Sequence, residues 1–347
     1  MSDKKFTVTI VILFAVLVSS VVSFNFWIDP LWHYSHAHAY NDVQKVINER
    51  EQKIAQLQFE EKDFDTLLIG SSRSTYIHPT AFGTWDVFNA SVANLSMREY
   101  QSYILYAQSQ NKDIERIILG VDFFKSSEEE AGAARSVNNY EAKVKQPFYR
   151  AKNLLSLQVL DYSIDNFKLS RGNLITEDRL YNRQGEAFAK KLTENEIEKM
   201  TAEKIKRFEE TFYGEHYTYY PKYAEIMTKV KNTVPNGEMI VFTTPISTEL
   251  FKTLVNTGLY DDYEVWIRDL VEVYGGVWNF MYPNTVTNDI NNYYDGHHFY
   301  PEIGSLIANR IENGTASPAT DDFGFYVTTD NIEKHLKEVR SLVAEFE

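Results

Sequence analysis

The sequence contains no cysteine, and glycine and proline are scarce, with 15 and 9 among 347 residues. Without cysteine the chain has no disulfide framework, no thiol nucleophile, no cysteine-ligated zinc and no lipid-modified cysteine anchor. Basic residues are also outnumbered, because 35 Lys and Arg stand against 49 Asp and Glu, a formal net charge of −14. Nucleic-acid phosphates are bound by basic faces, so this balance argues against a nucleic acid as partner.

The remaining composition is that of a folded protein. Hydrophobic residues make up 44% and charged residues 24% of the chain. These fractions exclude a disordered chain and a membrane protein with many spans. The length is enough to bury a core and allows one large domain or two average ones.

One hydrophobic run stands near the N-terminus, from Phe6 to Ile28, and it contains no charged residue. About 20 apolar residues at ~1.5 Å each cross a hydrocarbon layer of ~30 Å. Lys4 and Lys5 precede the run, so the positive-inside rule keeps the N-terminus in the cytoplasm. A cleaved signal peptide is the alternative, but the run is long for one and a small-x-small cleavage site is poorly formed. We expect residues 1–30 to be a cytoplasmic stub and a transmembrane anchor.

This anchor predicts the location of the protein. The chain would be a single-pass protein of the inner (cytoplasmic) membrane. Everything after the anchor would lie on the periplasmic or extracellular side.

After the anchor, the pattern predicts an α/β fold with a parallel sheet. Short apolar runs typical of buried parallel strands occur at 66–69, 86–88, 116–121, 239–242 and 277–280. Helix-like stretches occur between or after them at 97–110, 219–232, 261–274 and 301–312. Strands that alternate with helices indicate a parallel sheet covered on both faces.

The same pattern predicts the domain organisation. Residues 31–62 form a juxtamembrane segment with a polar helix over 41–62, and residues 63–312 form the main α/β domain. A polar, helix-rich block at 126–216 interrupts that domain and is predicted to be an insertion. Residues 313–347 form a loop and an amphipathic helix, about 330–346, whose apolar stripe ends at Phe346. We expect this helix to pack on the domain, with binding of a partner as the alternative.

Two short motifs carry chemistry. Gly70-Ser71-Ser72 follows the first predicted strand, and ligand-facing groups converge where parallel strands end. A serine there would stand at a helix N-terminus, whose amides can stabilise an oxyanion. Near the other end of the domain, Asp295-x-x-His298 can direct a carboxylate and an imidazole into one pocket, the imidazole facing a hydroxyl. Each motif alone also suits a cap or an anion-binding turn, but the two in this order favour a serine nucleophile.

These two motifs resemble those of the SGNH/GDSL hydrolase superfamily, over about residues 63–312 without the insertion. Within it, the resemblance is greatest to membrane-anchored members that act in polysaccharide O-acetylation and in teichoic-acid D-alanyl transfer. The resemblance implies a three-layer α/β/α flavodoxin-like sandwich. It further implies that Ser72 is the nucleophile, His298 the general base and Asp295 the carboxylate that orients it.

Two further blocks of the family differ in this sequence. Asn94 occupies the position of a glycine whose backbone amide serves the oxyanion hole, and asparagine tolerates left-handed geometry. Asp122 occupies the position of an asparagine donor, and its carboxylate would repel an oxyanion. We therefore expect Asp122 to cap or anchor its turn. The expected oxyanion hole consists of the amides of Ser72 and Asn94, with Arg73 as an additional charge.

The other histidines offer alternatives. His297 competes with His298 as the base, but only His298 has the Asp-x-x-His spacing. His33, His36 and His38 lie close together after the anchor and suit a transition metal, although an interfacial loop is the simpler interpretation. No metal and no organic cofactor is expected, because serine acyl chemistry needs neither.

Together these features predict a membrane-anchored extracytoplasmic serine esterase or O-acyltransferase of the O-acetyl type. It would act through an acyl-enzyme on an envelope or secreted polysaccharide, or on another acylated glycan. In the transferase version, an integral membrane acyltransferase would load the acyl group. The alternative is a non-catalytic scaffold or glycan-binding protein in envelope polysaccharide assembly, which the altered third block favours.

Overall fold

The computed structural model describes residues 3–60, 63–111, 113–132, 134–235, 237–317 and 319–344. The helices are α1 Asp3–Ile28, α2 Glu49–Phe59, α3 Tyr100–Gln110, α4 Glu128–Ala131, α5 Val137–Val144, α6 Tyr149–Leu154, α7 Leu157–Gly172, α8 Glu194–Thr211, α9 Tyr223–Lys231, α10 Thr248–Asn256, α11 Tyr260–Tyr274, α12 Pro301–Asn313 and α13 Ile332–Val343. The strands are β1 Gln44–Lys45, β2 Thr66–Ile69, β3 Val87–Asn89, β4 Arg116–Val121, β5 Leu180–Tyr181, β6 Ala187–Phe188, β7 Glu238–Thr243, β8 Gly276–Asn279 and β9 Phe325–Thr328.

The chain divides into two compact units. The N-terminal unit consists of Met1–Lys62 and Asn138–Gln184, and the sheet unit consists of Asp63–Val137 and Gly185–Glu347. These boundaries differ from the predicted ones, because the middle of the 126–216 block joins the residues that follow α1. The difference arises from long-range hydrogen bonds, which leave no local pattern in the sequence.

Buried polar contacts connect the two segments of the N-terminal unit. Asn25, near the end of α1, donates its side-chain amide to the carbonyl oxygens of Leu154 and Ser156 at 3.0 and 3.2 Å. Ser163 on α7 donates its hydroxyl to Asn25 Oδ1 at 2.9 Å. The antiparallel pairing of β1 with β5 adds backbone hydrogen bonds between the same segments.

Two helices of this unit correspond to predicted elements. α1 is long and apolar enough to cross a membrane, with a mean hydropathy of 2.5 over 18 residues, and a signal sequence has the same properties. The polar helix predicted over 41–62 is shorter, because Gln44–Lys45 form β1 and helix α2 begins only after Asn48. The Asn48 side chain caps α2 by accepting from the amide of Glu51.

The sheet unit contains a six-stranded sheet in the order β3-β2-β4-β7-β8-β9. The strands from β3 to β8 in this order run parallel, and β9 pairs antiparallel with β8. The predicted α/β class with a mostly parallel sheet is therefore confirmed, and each predicted strand lies within one residue of an observed one. The edge strand β9 was not predicted, because Phe325 and Tyr326 are exposed and leave no buried-strand pattern.

The central strands form the core of this unit. All four residues of β2 are buried, and Leu67, Leu68 and Ile69 have no exposed surface. Successive side chains of a strand point to opposite faces, so both faces of β2 are covered. The carboxyl ends of the parallel strands lie at one edge of the sheet, where the candidate site is found.

Helix α13 ends the described part of the chain. Its stripe of Ile332, Leu336, Val339 and Val343 is buried, and Tyr260 on α11 donates to the carbonyl oxygen of Leu336 at 3.5 Å. The helix therefore packs on the sheet unit. Phe346, the predicted end of the stripe, lies outside the described residues.

Candidate active site

The turn that carries Ser72 follows β2 directly. Residues Ser74–Tyr76 form a single 3-10 turn, in which the amides of Ser74, Thr75 and Tyr76 donate to the carbonyl oxygens of residues 71–73. The helix predicted behind Ser72 is therefore a single 3-10 turn and not an α-helix. The segment up to Ile77 is buried, and a turn this short leaves these amides already hydrogen-bonded.

The second motif lies on a tight loop between Tyr293 and Phe299. Tyr294 donates its amide to the carbonyl oxygen of His298 at 2.8 Å and closes the loop. Gly296 has a φ of +71°, and a Cβ there would lie 2.8 Å from Thr201 Cγ2, so the position requires glycine. Asp295 Oδ1 accepts from the amide of His298 at 2.7 Å, which folds the carboxylate back over the imidazole.

A close helix contact brings the two motifs together. Helix α12 begins just after the Asp295–His298 loop, and a Cβ at its Gly304 would lie 2.2 Å from the carbonyl oxygen of Tyr76. The helix can therefore rest on the turn after Ser72 only because residue 304 has no side chain. Segments separated by 226 positions meet in this way.

Three predicted side chains form a continuous chain of hydrogen-bonding groups. Ser72 Oγ lies 3.0 Å from His298 Nε2, and His298 Nδ1 lies 3.0 Å from Asp295 Oδ2. The carboxylate accepts from Nδ1–H, so Nε2 is left to accept the proton of the Ser72 hydroxyl. A hydroxyl, an imidazole and a carboxylate in this order can remove a proton from the serine when it attacks an electrophile.

Lys204 on α8 is a fourth group of the site, and it was not among the predicted residues. Its Nζ lies 2.7 Å from Asp295 Oδ2. Burial raises the pKa of the Asp295 carboxyl, but His298 and Lys204 outweigh this effect and hold the pKa below its usual range. Helical spacing could have indicated Lys204. Ile197, Thr201 and Phe208 are buried on one face of α8, and Lys204 lies on the same face.

Arg73 and Asp122 form a buried ion pair. Arg73 Nη2 lies 2.6 Å from Asp122 Oδ1, and the two side chains are 1% and 0% exposed. Thr244 donates its hydroxyl to the same oxygen at 2.5 Å, and its backbone carbonyl oxygen accepts from Arg73 Nη1 at 3.3 Å. The three residues follow β2, β4 and β7, so they tie three neighbouring strand ends together. Asp122 anchors its turn, and Arg73 is not the free charge that was expected at the oxyanion hole.

Asn94 follows β3 and adopts the left-handed conformation, with a φ of +55°. Its Oδ1 accepts from Lys125 Nζ, which also pairs with Glu130. The loop of Asn94 runs beside the first motif, because Val92 donates its amide to the carbonyl oxygen of Gly70 at 3.2 Å. The role of the Asn94 amide in an oxyanion hole stays a prediction.

His297 forms no hydrogen bond with Ser72 and packs against aromatic rings. Its ring is buried between Phe124 and Phe208, with centroid distances of 5.6 and 5.0 Å. Burial lowers the pKa of His297 well below its ordinary value, and its Nδ1 has no hydrogen-bond partner within the described residues. His297 therefore packs among these rings, and His298 is the ring that faces the serine.

The histidines after α1 do not form a metal centre. His33 is buried, whereas His36 and His38 each direct Nε2 toward the carbonyl oxygen of Trp27, at 3.1 and 2.9 Å. In the part of the chain that the structure describes, no group of three or more His, Asp or Glu side chains is arranged to hold a metal ion.

Comparison with known proteins adds no assignment to this geometry. No protein-family model matches the chain, and a search among curated proteins gave no match. The interpretation of the site therefore depends on its residues.

Proposed function

We propose that the chain is a membrane-anchored serine esterase or O-acyltransferase. The observation that carries the proposal is the alignment of Ser72, His298 and Asp295, in which both hydrogen-bonded contacts measure 3.0 Å. This is the geometry that nucleophilic serine chemistry requires.

In the proposed reaction, Ser72 Oγ attacks the acyl carbonyl carbon while His298 Nε2 takes its proton. The bond to the leaving oxygen then breaks, His298 returns the proton to that oxygen, and the acyl group remains as an ester on Ser72. Water or a sugar hydroxyl then attacks the ester carbonyl carbon and gives its proton to His298. The bond to Ser72 Oγ breaks, His298 returns the proton to that oxygen, and the product is the free acid after hydrolysis or the acylated sugar after transfer. Asp295 keeps the imidazole oriented and stabilises its charged form, and the amides of Ser72 and Asn94 would serve the oxyanion.

The proposed fold is the three-layer α/β/α flavodoxin-like sandwich of the SGNH/GDSL superfamily. The chain order supports it, since the serine follows the first strand of the main sheet and Asp295-x-x-His298 precedes α12. The burial of both faces of β2 supports it as well.

The proposed location is the outer side of the cytoplasmic membrane, with α1 as an uncleaved single span. Lys4 and Lys5 before the apolar run support this orientation. A surface-tethered acyl-transfer site suits an envelope or secreted polysaccharide. In the transferase version an integral membrane acyltransferase would supply the acyl group.

A non-catalytic scaffold is the competing function. Its support was the carboxylate of Asp122 where the family has an asparagine. Arg73 neutralises that carboxylate in a buried ion pair, which weakens this support for a scaffold.

The test is a comparison of Ser72→Ala with Ser71→Ala in the full-length chain in detergent. Ser71 is the matched control, since it is the adjacent serine, is buried and has no side-chain hydrogen bond within the described residues. We expect Ser72→Ala to lower p-nitrophenyl acetate turnover by about a thousandfold and to abolish labelling by a fluorophosphonate. Ser71→Ala should keep both.

Two outcomes bear on the alternatives. Equal turnover in wild type and Ser72→Ala, with no label on Ser72, would leave the scaffold as the function. If Ser72 is labelled, adding a soluble acetylated donor and an oligosaccharide acceptor distinguishes transfer from hydrolysis by the product formed.

A further inference from the structure

The segment from α5 to α7 exposes large apolar side chains. Phe148, Leu155 and Leu157 are 80%, 57% and 68% exposed. Phe148 also has a φ of +60°, an unfavourable conformation for a bulky residue. Several exposed large apolar side chains within ten residues are uncommon on a protein that faces only water.

This segment lies beside the end of the hydrophobic helix. A hydrocarbon layer of ~30 Å corresponds to about 20 helical residues, and counting from Phe6 this length ends near Asn25. Asn25 is the residue that binds the carbonyl oxygens of Leu154 and Ser156. The leucines at 155 and 157 are therefore held at the depth where the hydrocarbon of a spanned bilayer would end.

An aromatic cluster lies at the same depth. The Trp27 ring lies 5.4 Å from that of Tyr40 and 6.0 Å from that of Phe167 on α7. Trp and Tyr are enriched at the boundary between lipid and water. The cluster thus continues from α1 onto α7 as one interfacial surface.

The charge of the segment is opposite to that of the whole protein. Residues 142–160 include four basic residues and no acidic one, in a chain with a net charge of −14. Two of these cations are neutralised, since Lys143 pairs with Glu51 and Lys145 with Glu141. Arg150 and Lys152 form no salt bridge with any residue that the structure describes.

A cavity of about 530 Å³ opens on this segment. Tyr34, Phe59, Phe148 and Arg150 are among the residues that line it. The Arg150 guanidinium lies 5.2 and 4.7 Å from the ring centroids of Tyr34 and Phe59. A guanidinium held on aromatic rings, and paired with no carboxylate among the described residues, is suited to a phosphate group.

We propose that residues 142–160 form a second membrane contact, which binds the surface of a bilayer containing anionic phospholipids. Phe148, Leu155 and Leu157 enter the boundary of the acyl region, and Arg150 and Lys152 bind lipid phosphates. Apolar side chains flanked by cations are the composition of peripheral anchors, which respond to anionic lipid. The inference rests on the proposed span by α1, which supplies the neighbouring bilayer.

The absence of cysteine permits a direct test with single labels. Nitroxide labels are placed by Phe148→Cys, Leu157→Cys and Leu13→Cys in the full-length chain, which is reconstituted in vesicles with and without phosphatidylglycerol. Power saturation with oxygen and with a nickel chelate measures the depth of each label. Labels at 148 and 157 should be several-fold more accessible to oxygen than to nickel when phosphatidylglycerol is present. The control, Phe148→Cys combined with Arg150→Gln and Lys152→Gln, should lose that dependence on anionic lipid.

The label at residue 13 separates the two proposals. If it lies in lipid while those at 148 and 157 favour nickel in both kinds of vesicle, the span stands and the second contact is refuted. If all three labels favour nickel, the span itself is refuted and the second contact with it.

Discussion

Asp122→Asn should destabilise the sheet unit by about 3–5 kcal/mol, because it breaks a fully buried ion pair from one side. The asparagine keeps an acceptor for Thr244 but removes the negative charge. Arg73, 2.6 Å from Asp122 in the native site, then remains as a buried cation without its partner. At about 2–4 °C per kcal/mol for a unit of this size, the midpoint of thermal unfolding should fall by roughly 10 °C.

The double variant Arg73→Met/Asp122→Leu should recover most of the lost stability. Replacing both members of a buried ion pair by apolar side chains is often neutral, since no uncompensated charge remains. The recovery is favoured here because Arg73 Nε and Asp122 Oδ2 have no hydrogen-bond partner among the described residues. A double-mutant cycle over wild type, the two single variants and the double variant measures the coupling.

The same variants determine what Arg73 contributes to the site. If Arg73 acts only by holding the turn of Ser72, turnover of p-nitrophenyl acetate should return with stability in the double variant. If its charge supports an oxyanion, turnover should stay about a hundredfold low in a protein that is again stable. An unfolding midpoint of Asp122→Asn equal to that of wild type, with no coupling in the cycle, would refute the reasoning.

Three further predictions follow from single contacts. Lys204→Met removes an ammonium that shares a carboxylate oxygen with the His298 imidazole, at 2.7 and 3.0 Å. The acid limb of the pH–rate profile of Lys204→Met should therefore move up by about one pH unit. In the control, Lys204→Arg, the limb should stay in place. An unmoved limb in Lys204→Met would contradict the proposed role of the ammonium. Burial lowers the pKa of His335 from 6.5 to about 4. The unfolded chain therefore takes up this proton more readily than the folded protein. The free energy of unfolding should be highest above pH 6.5 and should fall by about 3 kcal/mol toward pH 4. His335→Gln should flatten the dependence of the unfolding midpoint on pH in this window, and an unchanged slope argues against a buried neutral ring. Gly304→Ala puts a Cβ 2.2 Å from the Tyr76 carbonyl oxygen and should lower the free energy of unfolding by about 3 kcal/mol, with turnover lost in parallel. An unfolding midpoint equal to that of wild type would show that α12 does not need to pack this closely on the turn.

Local patterns in the sequence predicted the five parallel strands of the main sheet and the two motifs of the candidate site. A strand buried on both faces appears as a short apolar run, which is why β2, β4 and β7 were found within a residue. The turn Gly70-Ser71-Ser72 could be singled out because it follows such a run, whereas the choice of Ser72 over Ser71 rested on the family resemblance. Asp295 and His298 could be predicted because one short loop carries both of them.

The tertiary structure decided the pairings between distant groups. Arg73 meets Asp122 because β2 and β4 are neighbours, and strand order is not written in any one strand. Lys204 reaches Asp295 because α8 packs beside the loop, although its helix has the composition of a solvated one. The mixed sheet and the division into two units have the same origin. A local segment determines its own hydrogen bonds and its burial pattern. Contacts between residues far apart in the sequence depend instead on the arrangement of the whole chain that buries the most apolar surface and satisfies the most polar groups.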